Sequence, residues 1–329
     1  MFNNAGAYFA HARTAFKYGL VDLGFKRGDR VLVPDYICEA LLHPIQELSL
    51  EVVYYPISDS FEPQWETLEF IAHETKCRAI VMVHYFGQPQ DIERHKSFCA
   101  AHDLLLLEDN AHGFGGTIHG KYLGTFGNLG ISSPRKILNT ASGGILYING
   151  EEQSPPPLPP YHRGSGERLL RKSFELWPHL KVSASVLTRR LPNFNDPADF
   201  CEPVIQDSVA DKSSFRFISG VIVNQSLKEL AQRRQKRWIA WQDIAQKIGL
   251  RPVYRGVHPE SSPWAFPAYI NSVKQRDHLL LFGLKNGVIF FPWPTLPADI
   301  LRLKGKPVNR WRNLICVPLH QDPPDHFSI

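Results

Sequence analysis

Hydrophobic and polar positions follow two periods along the first 150 residues. In "AHARTAFKYGLVDLGF" apolar side chains recur at helical spacing as far as the turn "KRGDR". "VLVPDY" then reads as a short buried strand, "CEALLHPIQELS" as a helix and "LEVVYYPI" as a strand. "WETLEFIAHET" predicts helix, "RAIVMVHYFG" a buried strand, "DIERHKSFCAAHD" helix, and "LLLLED" the next strand. Strands that are apolar throughout and separated by single helices belong to a parallel sheet covered on both faces. The first half is therefore expected to be α/β.

The pattern breaks at "NGEEQSPPPLPPYHRGSGE", which is too rich in proline for helix or central strand and is expected to be a loop at about 150–165. Helical periodicity resumes in "RLLRKSFELWPHLKVSASVLTRR" and "GVIVNQSLKELAQRRQKRWIAWQDIAQKIG". Short strand candidates follow in "RPVYRGV", "WAFPAYI", "GVIFFPW" and "NLICVPL", the pattern of a small α+β unit. At 329 residues the chain exceeds the usual size of one core, so a large domain over 1–225 and a small one over 226–329 are expected.

Composition narrows the function classes. With 43% hydrophobic and 21% charged residues, the chain has no apolar run near the ~20 residues that cross a bilayer, so no membrane association is expected. "MFNNAGAYFAHARTAFKYGL" lacks the basic start, apolar core and cleavage site of a signal peptide. The five cysteines are scattered without a C-x-x-C pair, which suits reduced thiols in the cytoplasm and argues against a metal site. The formal charge of +5 is mild. The densest basic cluster, "AQRRQKRW" at 231–238, reads as a solvated helix face rather than a nucleic-acid surface, because no aromatic platform accompanies it.

Ligands of a parallel α/β sheet collect at the carboxyl ends of its strands, where "LLLLED" delivers Glu108 and Asp109. A carboxylate buried there needs a positive partner, and a protonated ring nitrogen is one candidate. Lys136, 27 positions after Asp109, follows "GISSP" and precedes "ILNTASGG". A lysine kept deprotonated by its surroundings can form a Schiff base. An acid at a strand end with such a lysine is the arrangement pyridoxal phosphate requires: the acid keeps the pyridine ring protonated, and the lysine holds the aldehyde. The competing readings are a solvated surface charge for Lys136 and a helix N-cap in "EDNAH" for Asp109.

The segments "ARTAF", "GDRVLVPDY", "VHYFGQPQD", "EDNAHGFGG", "GTFGNLG", "SSPRK" and "SGGIL" stand in an order that resembles the DegT/DnrJ/EryC1/StrS family of pyridoxal-phosphate-dependent aminotransferases. Two later segments, "SFRFISGVIVNQSLKEL" and "CVPLHQ", echo the same family, so the resemblance spans almost the whole chain. It implies the aspartate aminotransferase-like fold (fold type I): a large domain with a mostly parallel central sheet and a small C-terminal α+β domain. It also implies that Lys136 is the Schiff-base lysine, that Asp109 pairs with the ring nitrogen, and that His112 lies near the phenolic oxygen. A structural histidine is the alternative for His112. The cofactor phosphate would lie on the start of the first long helix at Arg13, Thr14 and Ala15, with a hydroxyl from Ser132 or Ser133. An ordinary helix cap competes with that reading. Ser214 aligns with a residue that reaches the same phosphate across a dimer interface in many relatives, which implies a homodimer with a cross-subunit active site.

The departures lie on the substrate side. The loop before Lys136 is two residues shorter than is typical, and Ser142 replaces an acid before the double glycine. Where relatives place an aromatic ring over the cofactor face, the alignment offers Cys38, with Tyr36 two residues away as a substitute. The chain also ends soon after "PLHQ". The activity implied is transfer of an amino group from an amino acid, L-glutamate being the foremost candidate, to a keto-sugar nucleotide or another carbonyl acceptor. A lyase or dehydratase on the same fold is the alternative, followed by a noncatalytic binding or regulatory protein.

Overall fold

The computed structural model describes residues 8–138, 143–148, 226–288, 290–293, 296–303, 305–320 and 322–324. The proline-rich loop, the helices read between 168 and 190, Ser142 and Ser214 lie outside the described residues.

The alternating pattern folds as a seven-stranded sheet with strands β1 (Tyr8–Phe9), β2 (Arg30–Pro34), β3 (Glu51–Tyr55), β4 (Ala79–Val83), β5 (Leu105–Asn110), β8 (Leu129–Ser132) and β9 (Gly144–Ile148). Their order in the sheet is β1-β9-β8-β5-β4-β2-β3. The five strands from β8 to β3 are mutually parallel, and β9 lies antiparallel to both β8 and β1. Helices α1 (Ala12–Asp22), α2 (Glu39–Glu47), α3 (Trp65–Glu74) and α4 (Ile92–His102) occupy the stretches read as helical. Strand β4, buried at every position, shows why its run is continuously apolar: helices cover both faces. From β2 the chain pairs β3 on one side, then passes to β4, β5 and β8 on the other. The carboxyl ends of β2 and β4 thus flank a topological switch point, where such sheets bind ligands.

A hairpin of β6 (Thr117–Ile118) and β7 (Lys121–Tyr122) leaves the sheet after β5, and the short helix α5 (Arg135–Leu138) follows β8. The C-terminal part has its own antiparallel sheet, β10 (Arg251–Pro252), β11 (Ala265–Tyr269) and β12 (Leu314–Pro318). Helix α6 (Leu227–Lys247) packs on it through a core that includes Trp238, Trp241, Phe266 and Ile315. Ser226 caps this helix by accepting the Glu229 amide at 3.3 Å. Helices α7 (Val273–Lys285), α8 (Ala298–Leu303) and α9 (Lys306–Asn313) follow, and a 3-10 turn, Tyr85–Gly87, comes after β4.

Two expectations need correction. Among its described residues, "GVIFFPW" shows no strand beyond a single antiparallel bridge of Phe291 to Cys316. Pro292 follows at once and has no N–H with which to continue a ladder. The basic cluster at 231–238 is not uniformly solvated: Arg233 and Lys236 are exposed, but Arg234 is buried and Arg237 pairs with Asp322 at 2.9 Å. Among the described residues, Cys38, Cys77, Cys99 and Cys316 are free thiols, and no helix is long and apolar enough to cross a membrane.

Candidate active site

Adjacent residues of a strand face opposite sides of the sheet, so Glu108 and Asp109 part company at the end of β5. Glu108 does not enter the site. It turns beneath the 122–127 loop, where it accepts His84 Nε2 at 2.8 Å and the backbone amides of Gly124, Phe126 and Gly127. Asn110, on the same face as Glu108, donates to Leu123 O at 2.9 Å and to Ser132 Oγ at 3.1 Å. Sequence reading missed His84, although its place at the end of the neighbouring strand was the available signal.

Asp109 is left on the other face, 8% exposed, with one oxygen accepting the Ala111 amide at 2.8 Å. Burial pushes its carboxyl up, against that amide and the positive charge of Lys136. Asp109 thus sits where a cation would relieve it. His112 is buried, and its Nδ1 accepts the Phe86 amide at 3.3 Å, which leaves the proton on Nε2. Burial, with the Lys136 charge added, holds this imidazole well below its usual range, so it is neutral. Phe86 has a left-handed φ of 56°, and Gly87 one of 83°. A Cβ on Gly87 would stand 2.6 Å from His112 O and 2.7 Å from Ser262 O, so only glycine lets the three segments meet.

Lys136 lies on α5, half-buried, with Nζ 4.9 Å from the ring centre of Trp264. The same indole stacks on His112 at 4.5 Å and 29°. Trp264 therefore joins Lys136 to His112, and sequence reading did not single it out.

The second part of the site is the start of α1. Its N-cap, His11, makes no side-chain cap, and its first turn holds no acidic residue, so the positive end of the helix is left for an anion. Thr14 is buried, and its Oγ1 has no hydrogen-bond partner among the described residues. Ala15 N–H bonds His11 O at 3.1 Å within the helix, and Arg13 is half-buried. The double glycine holds this helix start beside the lysine loop. Gly143 N–H donates to Ala10 O at 2.8 Å, and a Cβ on Gly144 would stand 2.3 Å from the His11 carbonyl carbon. Ser133 Oγ reaches Gly143 O at 3.5 Å, while Ser132 is buried against Asn110. Tyr36 stands apart in an aromatic layer. Trp293, 5.3 Å from Tyr36 and 5.1 Å from His112, lies between them. Cys38 is the half-buried N-cap of α2.

One end of this arrangement suits an anion, and the other offers a buried carboxylate, a neutral imidazole and an amine. Comparison with known proteins finds the profile of the DegT/DnrJ/EryC1/StrS aminotransferase family over residues 6–155. The match is confined to these residues, less than half of the chain. The stretch holds the Asp109, His112, Lys136 and Thr14 positions together. GDP-perosamine synthase of Escherichia coli O157:H7 is 30% identical over 145 residues, which is 43% of this chain and 39% of that protein. The matched stretch thus spans about two fifths of the curated relative. The aminotransferase TlmJ from Streptoalloteichus hindustanus superposes over 98% of this chain and 82% of its own, with a TM-score of 0.66 at 19% identity. E. coli GDP-4-keto-6-deoxy-D-mannose-3-dehydratase with bound hydrated PLP covers 95% of this chain and 82% of its own, with a TM-score of 0.61 at 21% identity. The shared fold is the α/β architecture of fold type I, with a mostly parallel central sheet.

Proposed function

We propose that this protein is a pyridoxal-phosphate-dependent aminotransferase that moves an amino group from L-glutamate to the carbonyl of a nucleotide-linked keto sugar. The observation that carries the reading is Asp109, a buried carboxylate at a strand end that burial leaves in want of a cation. It lies inside the stretch matched by an aminotransferase family. The relatives' names support a nucleotide sugar as acceptor, since GDP-perosamine synthase stands among them.

The residues fit the cofactor at both ends. Thr14 Oγ1, buried without a hydrogen-bond partner among the described residues, and the start of α1, which has no side-chain cap from His11, suit its phosphate. Asp109 suits a protonated ring nitrogen. Bound there, the cofactor supplies an electrophilic carbonyl and a ring that takes up electrons. Lys136 Nζ would be the amine that holds that carbonyl, and the same amine would serve as the general base and acid for a proton at the donor's α-carbon. Asp109 would hold a proton on the ring nitrogen. His112 Nε2–H is a neutral donor for an anionic oxygen on the ring.

The reading extends to a cytoplasmic homodimer with Ser214 crossing the interface, and to a domain division near 225. The family resemblance supports the dimer and the division, and the free thiols of the four described cysteines suit a reducing compartment.

The test is the visible spectrum of the protein with added pyridoxal phosphate, before and after L-glutamate, alongside Lys136→Ala. A lysine-dependent band that glutamate bleaches, with release of 2-oxoglutarate, supports amino transfer. A band that glutamate leaves untouched points to dehydration or another donor, and retention of full activity by Lys136→Ala overturns the mechanism.

A further inference from the structure

Trp264 closes one side of the site, and it is held from outside the site. Its N–H donates to Phe86 O at 2.9 Å. Its carbonyl accepts Arg234 Nη2 at 2.8 Å, and the preceding carbonyl of Pro263 accepts Arg234 Nε at 2.6 Å. The rest of the 258–264 segment is also tied down. Glu260 accepts the Thr117 hydroxyl and the amides of His119 and Gly120 in the β6–β7 hairpin, and Gln235 donates to the carbonyls of Pro259 and Ser261.

Two features separate this arrangement from ordinary packing. Trp264 is only half-buried, whereas Trp238, Trp241, Trp293 and Trp311 are fully enclosed. Arg234 stands in the buried stripe of α6, 3% exposed, and its hydrogen bonds among the described residues go to main-chain carbonyls rather than to a carboxylate. Burying a guanidinium in this way is unfavourable, and burial lowers its pKa to about 10. What that charge secures is the position of two peptide groups, and the side chain they carry is Trp264.

We propose that Trp264, anchored through Arg234, is the positioning residue of the Lys136 amine. The inference rests on the function proposed above only in taking Lys136 as the reactive group. The indole face 4.9 Å away restrains the lysine head group by attraction of the cation to the ring. His112, neutral and stacked on the same indole, keeps a second cation out of the site.

The experiment uses cofactor-free protein and follows acetylation of Lys136 by acetic anhydride across pH. Peptide mass spectrometry reads the extent, with Lys17 as internal reference. Trp264→Leu keeps an apolar side chain and removes the ring face, so less of the amine is held as ammonium. Labelling of Lys136 below its midpoint is expected to rise about threefold to fivefold, the worth of a partly buried cation–ring contact. Trp264→Phe should give a smaller rise. Arg234→Met should move labelling in the same direction, and the double variant by no more than Trp264→Leu alone. A folded Trp264→Leu protein with an unchanged or slower labelling profile overturns the proposal, as does full additivity with Arg234→Met. Should Arg234→Met fail to fold, the two Trp264 variants decide. A wild-type protein that gives no visible band with pyridoxal phosphate counts against the proposed function and leaves the labelling result standing.

Discussion

His84 Nε2 lies 2.8 Å from Glu108 Oε1, and both side chains are wholly buried. His84 Nδ1 accepts the Gln90 amide at 3.0 Å, so the ring donates to the carboxylate through Nε2. The same carboxylate holds three amides of the 124–127 loop, and His84 N–H bonds Asp109 O at 3.0 Å. The pair fixes the strand end from which Asp109 reaches the other face.

Glu108→Gln places an NH2 group against amide donors that now meet an oxygen. Breaking such a buried arrangement destabilises by about 3 kcal/mol, read as a lower denaturation midpoint. The pH dependence gives a second check. Burial raises the Glu108 carboxyl, but the hydrogen bonds from His84, Gly124 and Phe126 outweigh it and leave the folded pKa lowered. A lowered folded pKa contributes stability above the unfolded value of about 4.3 that is lost as pH falls through the folded value. Wild type should show this acid loss, and Glu108→Gln should show less of it.

Asp109 runs the other way. Its folded pKa is raised, chiefly by burial, so the unfolded chain ionises first. Stability therefore falls as pH rises from about 3.9 through the folded value, and the ionised group burdens the cofactor-free fold at neutral pH. Asp109→Asn is expected to melt at the same temperature as the wild type or higher without cofactor, and to lose the visible band's response to glutamate. A lower melting temperature for the cofactor-free variant would contradict this account.

How much of this was legible in the sequence depends on the kind of signal. Strands β2 to β5 and the helices between them were readable because strands buried on both faces leave uninterrupted apolar runs. Strands β1 and β9 were not, since Tyr8–Phe9 is two residues long and β9 is recognisable only through its pairing. Glu108 and Asp109 were read as one acidic pair, although the two-residue strand period already separates them. Arg234 disappeared into a basic cluster that was judged by composition. Its spacing with Leu227, Ala231, Trp238 and Trp241 puts it in the buried stripe of the helix. Trp264 carries no local signal, because the site groups it touches, His112 and Lys136, lie more than a hundred positions away along the chain.

Thr14 tests the anion end. Its hydroxyl is buried without a partner among the described residues, so Thr14→Val removes an unsatisfied group and keeps the shape. The cofactor-free variant should be as stable as wild type or more stable by about 1 kcal/mol. Its affinity for pyridoxal phosphate should fall about tenfold, the worth of one hydrogen bond to a charged group. Titration monitored by the visible band measures the second effect, and thermal melts the first.

Gly144 tests whether the helix start and the lysine loop are built as one unit. A Cβ there would lie 2.3 Å from the His11 carbonyl carbon, 2.4 Å from His11 O and 2.5 Å from Ala12 N. All three are backbone atoms, so no rotamer change relieves the clash, and either β9 or the first turn of α1 must move. Since Phe9 pairs Gly144 across the β1–β9 ladder, the shift passes directly to the anion end of the site. Gly144→Ala is expected to lower stability by about 1–3 kcal/mol, as overpacking does. It should also weaken pyridoxal phosphate more than pyridoxal, which lacks the phosphate. Equal losses for the two ligands would mean that the displaced element is the lysine loop rather than the helix start.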